Sequence, residues 1–245
     1  MKFLKGRRFD ESANHQFMMT IEDFETIEFE SQKWIERLKN FVRTHRAEQL
    51  DRLKELKRYY LADNNIKYRE EKSDKYSADN RIASDWAKYI TVFEQGYMLG
   101  NPVEYKNENA EIQALIDNFS KQNNEQEHNV AIKTDLAIYG RAYELLNTFQ
   151  DVDGSVWVKL YRMNPEQTFV IYDDSYEQRS LMAINYYSIS YGNGHKRDFV
   201  KVYTDNAIYE YVDDNQEADT LRLKETSEHF FNGVPVNEFS NNIDR

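Results

Sequence analysis

The chain has 245 residues, 40% of them hydrophobic, and a formal net charge of −11 from 43 acidic and 32 basic side chains, with no cysteine. The missing cysteines exclude disulfides, thiolate zinc sites and thiol nucleophiles. The acidic balance argues against a tight grip on nucleic acid, which calls for a basic patch.

No stretch approaches the roughly 18 apolar residues of a membrane span, so none is expected. The opening "MKFLKGRRFDESANHQ" lacks the apolar run of a signal peptide, so the chain is expected to stay where it is made. The 18 Tyr and 14 Phe suit extended contact surfaces, because aromatic rings bury large areas and tyrosine keeps a polar end.

Residues 1–31, with "IEDFETIEFE" alternating apolar and charged, read as a loosely ordered, flexible arm. From Gln32 to about Leu61, Trp34, Leu38, Phe41, Val42, Leu50, Leu53, Leu56 and Tyr60 recur at helical spacing and predict one helix. Its basic residues (Lys33, Arg37, Lys39, Arg43, Arg46, Arg52, Lys54, Lys57 and Arg58) interleave with acids. The face reads as solvated, with pairs between successive turns.

After the polar "LADNNIKYREEKSDKYSADN", a second helix is expected. Ile82, Trp86, Tyr89, Ile90, Phe93 and Tyr97 form one apolar stripe that reads first of all as core. Interfaces also favour such residues, so part of the stripe is open to another subunit. Asp79 or Asn80 is the expected start cap, Gly100 the left-handed end cap, and Pro102 the stop. A shorter helix carries Ile112, Leu115, Ile116 and Phe119. Another carries Ile132, Leu136 and Tyr139 and closes at Gly140.

From residue 141 the pattern turns to strands. "RAYELLNTFQ" and "SVWVKLYRMN" flank Asp153-Gly154, a hairpin signal. "TFVIYD", "SLMAINYYSISY", "DFVKVYT", "AIYEYV" and "TLRLKE" follow, separated by turn residues at Asp173-Asp174, Gly192-Asn193-Gly194, Asp205-Asn206 and Asp213-Asp214-Asn215. The expectation is an α+β fold: helices over 32–140, then an antiparallel β meander over 141–245. "VPVNEFSNNIDR" shows no closing helix or strand pattern.

Chemistry is sparse. His15, His45, His128, His195 and His229 are scattered without metal-ligand spacing and read as solvated surface residues. The carboxylates Asp173, Asp174, Asp205 and Asp213 sit where hairpins turn, and turn duty is the bland reading. The sharper one is a metal-dependent hydrolase or nuclease, which requires them to converge within about 4–5 Å of one ion. "YGNGHKRD" reads as a hairpin tip, with a phosphate-backbone contact by Lys196 and Arg197 as the minor alternative; phosphate-cradling loops lead into helices instead. No catalytic, cofactor or metal residue is assigned.

Five segments, "RLKELKRYYLADN", "ADNRIASDWAKYITVFEQGYMLGNPVEY", "HNVAIKTDLAIYGRAYELL", "NPEQTFVIYDDS" and "VPVNEFSNN", resemble portal proteins of tailed bacteriophages, of the siphophage and prophage type of Gram-positive hosts. They come in that family's order, over about residues 45–245. The resemblance implies a structural subunit of a homo-oligomeric ring, usually of twelve copies, at one capsid vertex of the virion. It implies double-stranded DNA as weakly held cargo. It also implies the terminase large subunit, the major capsid and scaffolding proteins and the head–tail connector as partners, and host cytoplasm as the place of assembly. Family members of this type run to about twice this length, so only the wing-containing part is expected here, with stem, clip and crown beyond Arg245. A shortened prophage form that mixes into rings is a further alternative.

Overall fold

The computed structural model describes residues 16–69, 76, 78, 80–192, 194–213 and 221–241. In chain order the elements are β1 (Phe17–Met18), α1 (Ile21–Glu25), α2 (Gln32–Glu48), α3 (Leu50–Tyr60), a 3-10 turn (Asn65–Tyr68), α4 (Trp86–Leu99), α5 (Ala110–Asn123) and α6 (Glu125–Tyr139). Then come β2 (Arg141–Gln150), β3 (Val156–Met163), β4 (Thr168–Tyr172), β5 (Ser180–Ser190), β6 (Lys196–Tyr203), β7 (Ala207–Asp213), β8 (Arg222–Glu228) and β9 (Val236–Ser240). The fold class is α+β, as expected.

The strands form two sheets rather than one meander. β4 to β8 make consecutive antiparallel pairs, and β1 adds to β4 in parallel. β2 and β3 leave that sheet and pair with β9 in the order β3-β2-β9. The closing stretch thus does hold a strand, one the sequence pattern did not signal. Its place is fixed by pairing with a strand about 95 residues away, Tyr143 opposite Glu238.

Period-two alternation explains the layering. Along β4, Phe169 and Ile171 face α2, whereas Val170 and Tyr172 face the small sheet. The α2 side is packed with Trp34, Ile35, Leu38 and Val42 against Met182, Ile184, Val200, Val202 and Tyr211. The inter-sheet side is packed with Tyr143, Met163, Ala183, Tyr203 and Val236. Helices α5 and α6 contact the small sheet, and α4 contacts α6.

The expected arm divides at residue 16. Residues 1–15 lie outside the described residues, and 17–31 lie against the core through a few inward side chains. Phe17 and Met19 are buried, and Phe24, Ile27 and Phe29 pack on the same cluster. Thr20 caps α1 through Asp23 N (3.2 Å), and Ser31 caps α2 through Trp34 N (3.2 Å). Trp34 Nε1 donates to Tyr211 Oη (2.8 Å), which donates to Phe29 O (2.8 Å), tying the segment to β7. Alternating charge hid this from the sequence reading, because the chain needs only every second or third side chain inward.

The helix expected over 32–61 is two. It breaks at the buried Gln49, where α3 departs towards α6. α4 begins at Trp86, later than the expected cap. Asp79 lies outside the described residues, and residues 80–85 are held off the helix, with Asn64 Nδ2 donating to Ser84 O (2.6 Å). Gly100 is right-handed (φ −63°), not the left-handed cap expected. Glycine fits there for space: a Cβ would meet Gly96 O at 2.4 Å. Left-handed caps instead end α5, at Asn124 (φ +47°), and α6, at Gly140 (φ +75°).

Candidate interaction surface

The carboxylates of the hydrolase reading do not converge. In an antiparallel run successive turns alternate between the two ends of the sheet, so Asp173, Asp174 and Asp205 lie at one end and Asp213 at the other. Even at the shared end, the β4–β5 and β6–β7 turns stand two strand spacings apart, about 10 Å. That is too far for one ion, so these carboxylates do not build the site a metal-dependent hydrolase or nuclease needs.

Asp173 has a structural occupation in its turn. Asp173 is buried, and its Oδ1 accepts from Ser175 Oγ (2.8 Å), Ser175 N (3.3 Å) and Arg179 N (2.9 Å), fixing the turn. Asp174 and Asp205 are exposed. Asp213 lies opposite Asp198 across β6 and β7. Lys39, Arg43 and Arg46 of α2 line the same cleft. The basic helix face thus turns partly towards this acidic pair and is not wholly solvated. Arg58 is also buried, bound to Glu55 and Asp63 O.

Three histidines expected at the surface are instead enclosed. His45 is buried, stacked on Phe169 (4.9 Å between ring centres), with Nδ1 2.8 Å from Tyr186 Oη. Tyr186 Oη also donates to Glu166 O (3.2 Å). Both contacts are satisfied when His45 donates from Nδ1. Burial, aided by Arg141 and Arg46, pushes its pKa down to about 3. His229 Nε2 donates to Thr204 O (2.9 Å), and its Nδ1 accepts from Phe231 N (3.3 Å). His128 Nε2 meets Glu144 Oε1 at 2.7 Å. His195 is exposed and His15 lies outside the described residues. The "YGNGHKRD" tip does lie between β5 and β6, with Arg197 over the Tyr191 ring.

One group of ionisable residues went unnoticed in the sequence. Asp135 on α6 is fully buried and clasps Arg162 of β3. Nearby, Glu166 accepts from Lys57 Nζ and Tyr139 Oη, both at 3.0 Å. Burial raises the Asp135 pKa, while Arg162 opposes the shift. Each acid here faces a base, so the group works as a clasp joining α3, α6 and the small sheet. A second clasp, Glu238, accepts from Tyr172 Oη (2.7 Å) and faces Arg141 Nη1 (3.5 Å), holding β9 to both sheets. No signal in local spacing announces either, because their members come from distant segments.

The unusual feature is α4. Its inward face is polar. Thr91 is buried, Glu94 binds Lys133 Nζ (3.2 Å), and Gln95 Nε2 donates to Thr134 Oγ1 (3.1 Å). Its apolar stripe points the other way: Trp86 is 67% exposed, Tyr89 60%, Phe93 64% and Tyr97 86%. The expected core stripe is therefore an outer surface in the single chain. The helix earns its place against α6 through hydrogen bonds and an ion pair, leaving aromatic rings in water.

Among the described residues no helix is long and apolar enough to cross a membrane. No curated protein matches the chain. The family model described as phage portal protein, SPP1 Gp6-like, matches residues 39–245. That span takes in every element from the middle of α2 to β9, including α4 and both sheets. The chain belongs to the phage portal protein family, SPP1 Gp6-like.

Proposed function

We propose that this chain is a structural subunit of a portal ring, twelve copies around a central channel at one capsid vertex. Double-stranded DNA enters and leaves through that channel. In this reading residues 32–140 and 141–245 form the wing-like part of the subunit. The terminase large subunit docks on the ring and supplies the ATP hydrolysis and DNA cutting, and the portal chain itself catalyses nothing. The ring meets the major capsid and scaffolding proteins during assembly in the host cytoplasm and the head–tail connector afterwards. The family match over 39–245 carries the reading.

The charge supports it. A conduit must let its cargo slide, and each cationic contact to a phosphate strengthens binding and slows passage. A net charge of −11 keeps such contacts few. DNA binding is therefore weak and falls steeply with salt. A gel-shift titration at physiological salt tests this, and sub-micromolar, sequence-specific affinity contradicts it.

A further inference from the structure

The α4 surface needs a cover. Water-facing aromatic rings on one side of a helix, with its polar residues turned inward, invert the arrangement that stabilises a lone subunit. Trp86, Tyr89, Phe93 and Tyr97 lie along one face, and Ile90, 54% exposed, continues it. None of these five positions bears a charge, and the acid on this helix, Glu94, is turned to Lys133.

The size of the surface indicates what covers it. A large aromatic side chain presents about 150–250 Å², so at these exposures the four rings offer about 400–700 Å². The largest apolar patch on an ordinary monomer is about 300–600 Å², and each side of a standard stable interface contributes about 800 Å². The α4 rings with Ile90 are thus most of one side of a stable interface. On the portal-ring reading each copy stands beside copies of itself, so the partner present at highest local concentration is a second copy.

We infer that the aromatic face of α4 is a seam between neighbouring copies of this chain. The inference rests on the portal-ring reading and adds the surface by which one copy meets the next. Charged side chains are depleted and Tyr, Trp and Phe enriched at the centre of such interfaces, as they are on this face. The inward polar contacts of α4 then have a reason. They fix the helix to α6 without consuming the apolar side that the neighbour needs.

Sedimentation velocity of the whole 245-residue chain, from about 1 to 100 µM, tests it against Phe93→Glu. That position is exposed, so the substitution leaves the fold intact, as far-UV circular dichroism and the melting temperature will show. Tyr97→Glu repeats the test at a still more exposed site. The expected result is association of the wild type and a loss of affinity of roughly thirtyfold in each variant, the scale of an interface hot spot. Association undiminished in both variants overturns the seam and leaves the ring reading standing. A wild-type chain that stays monomeric throughout overturns the seam, while the ring reading still stands on the family match.

Discussion

His45 makes stability depend on pH in a window that carboxylates alone do not explain. Free histidine titrates near 6.5, whereas burial beside Phe169, Arg141 and Arg46 pushes His45 down to about 3. Above about pH 6.5 the imidazole is neutral in both folded and unfolded chains, and its contribution is complete. As pH falls below 6.5 the unfolded chain takes up a proton that the folded chain refuses until near 3. Stability is lost through that window at about 1.4 kcal/mol per pH unit, or about 2 kcal/mol by pH 5. His45→Phe removes the titration and keeps a ring against Phe169, giving up the Tyr186 contact at a cost of about 1 kcal/mol at pH 7. Urea unfolding of both proteins at pH 7, 6 and 5, followed by tryptophan fluorescence, isolates the term, since the carboxylates titrate alike in each. The wild type is expected to lose about 2 kcal/mol more than the variant between pH 7 and 5. Parallel losses, within about 0.5 kcal/mol, would refute the reasoning.

Three substitutions probe the scaffold. Leu38→Ala empties a fully buried site between α2 and the large sheet and is expected to cost about 2–5 kcal/mol in urea unfolding. Asp173→Ala removes the shared acceptor of Ser175 N, Ser175 Oγ and Arg179 N in a part-buried turn, so a loss of about 1–3 kcal/mol is expected in the same assay. Because Asp173 serves the turn, added Mg²⁺ or Mn²⁺ should leave the melting temperature of the wild type unchanged. Gly140→Ala meets no neighbouring atom but forces a side chain to φ +75°, a cost of about 1–2 kcal/mol readable as a lower melting temperature.

Much of the fold was legible because its signals are local. The alternation in "TFVIYD" and "DFVKVYT", the turn residues between strands and the stripe of α4 each lie within a dozen residues. What escaped depends on partners far along the chain. β9 is five residues long and exists by pairing with β2, and β1 is two residues held by β4. His45 looks like any residue on a basic helix until Phe169 and Tyr186 close over it. The α4 stripe shows the limit most clearly. Helical period reveals that a face is apolar, but not whether the cover is the chain's own core. The candidate chemistry failed for a similar reason. Adjacent aspartates are visible in a sequence, whereas the end of the sheet on which each falls follows only from strand order.

Negative-stain electron microscopy of the purified chain tests the account most directly. Closed annular particles with one open axial channel are the predicted result. Particles of single-subunit size alone, at concentrations where the α4 faces should meet, would contradict the seam between copies on which this account rests.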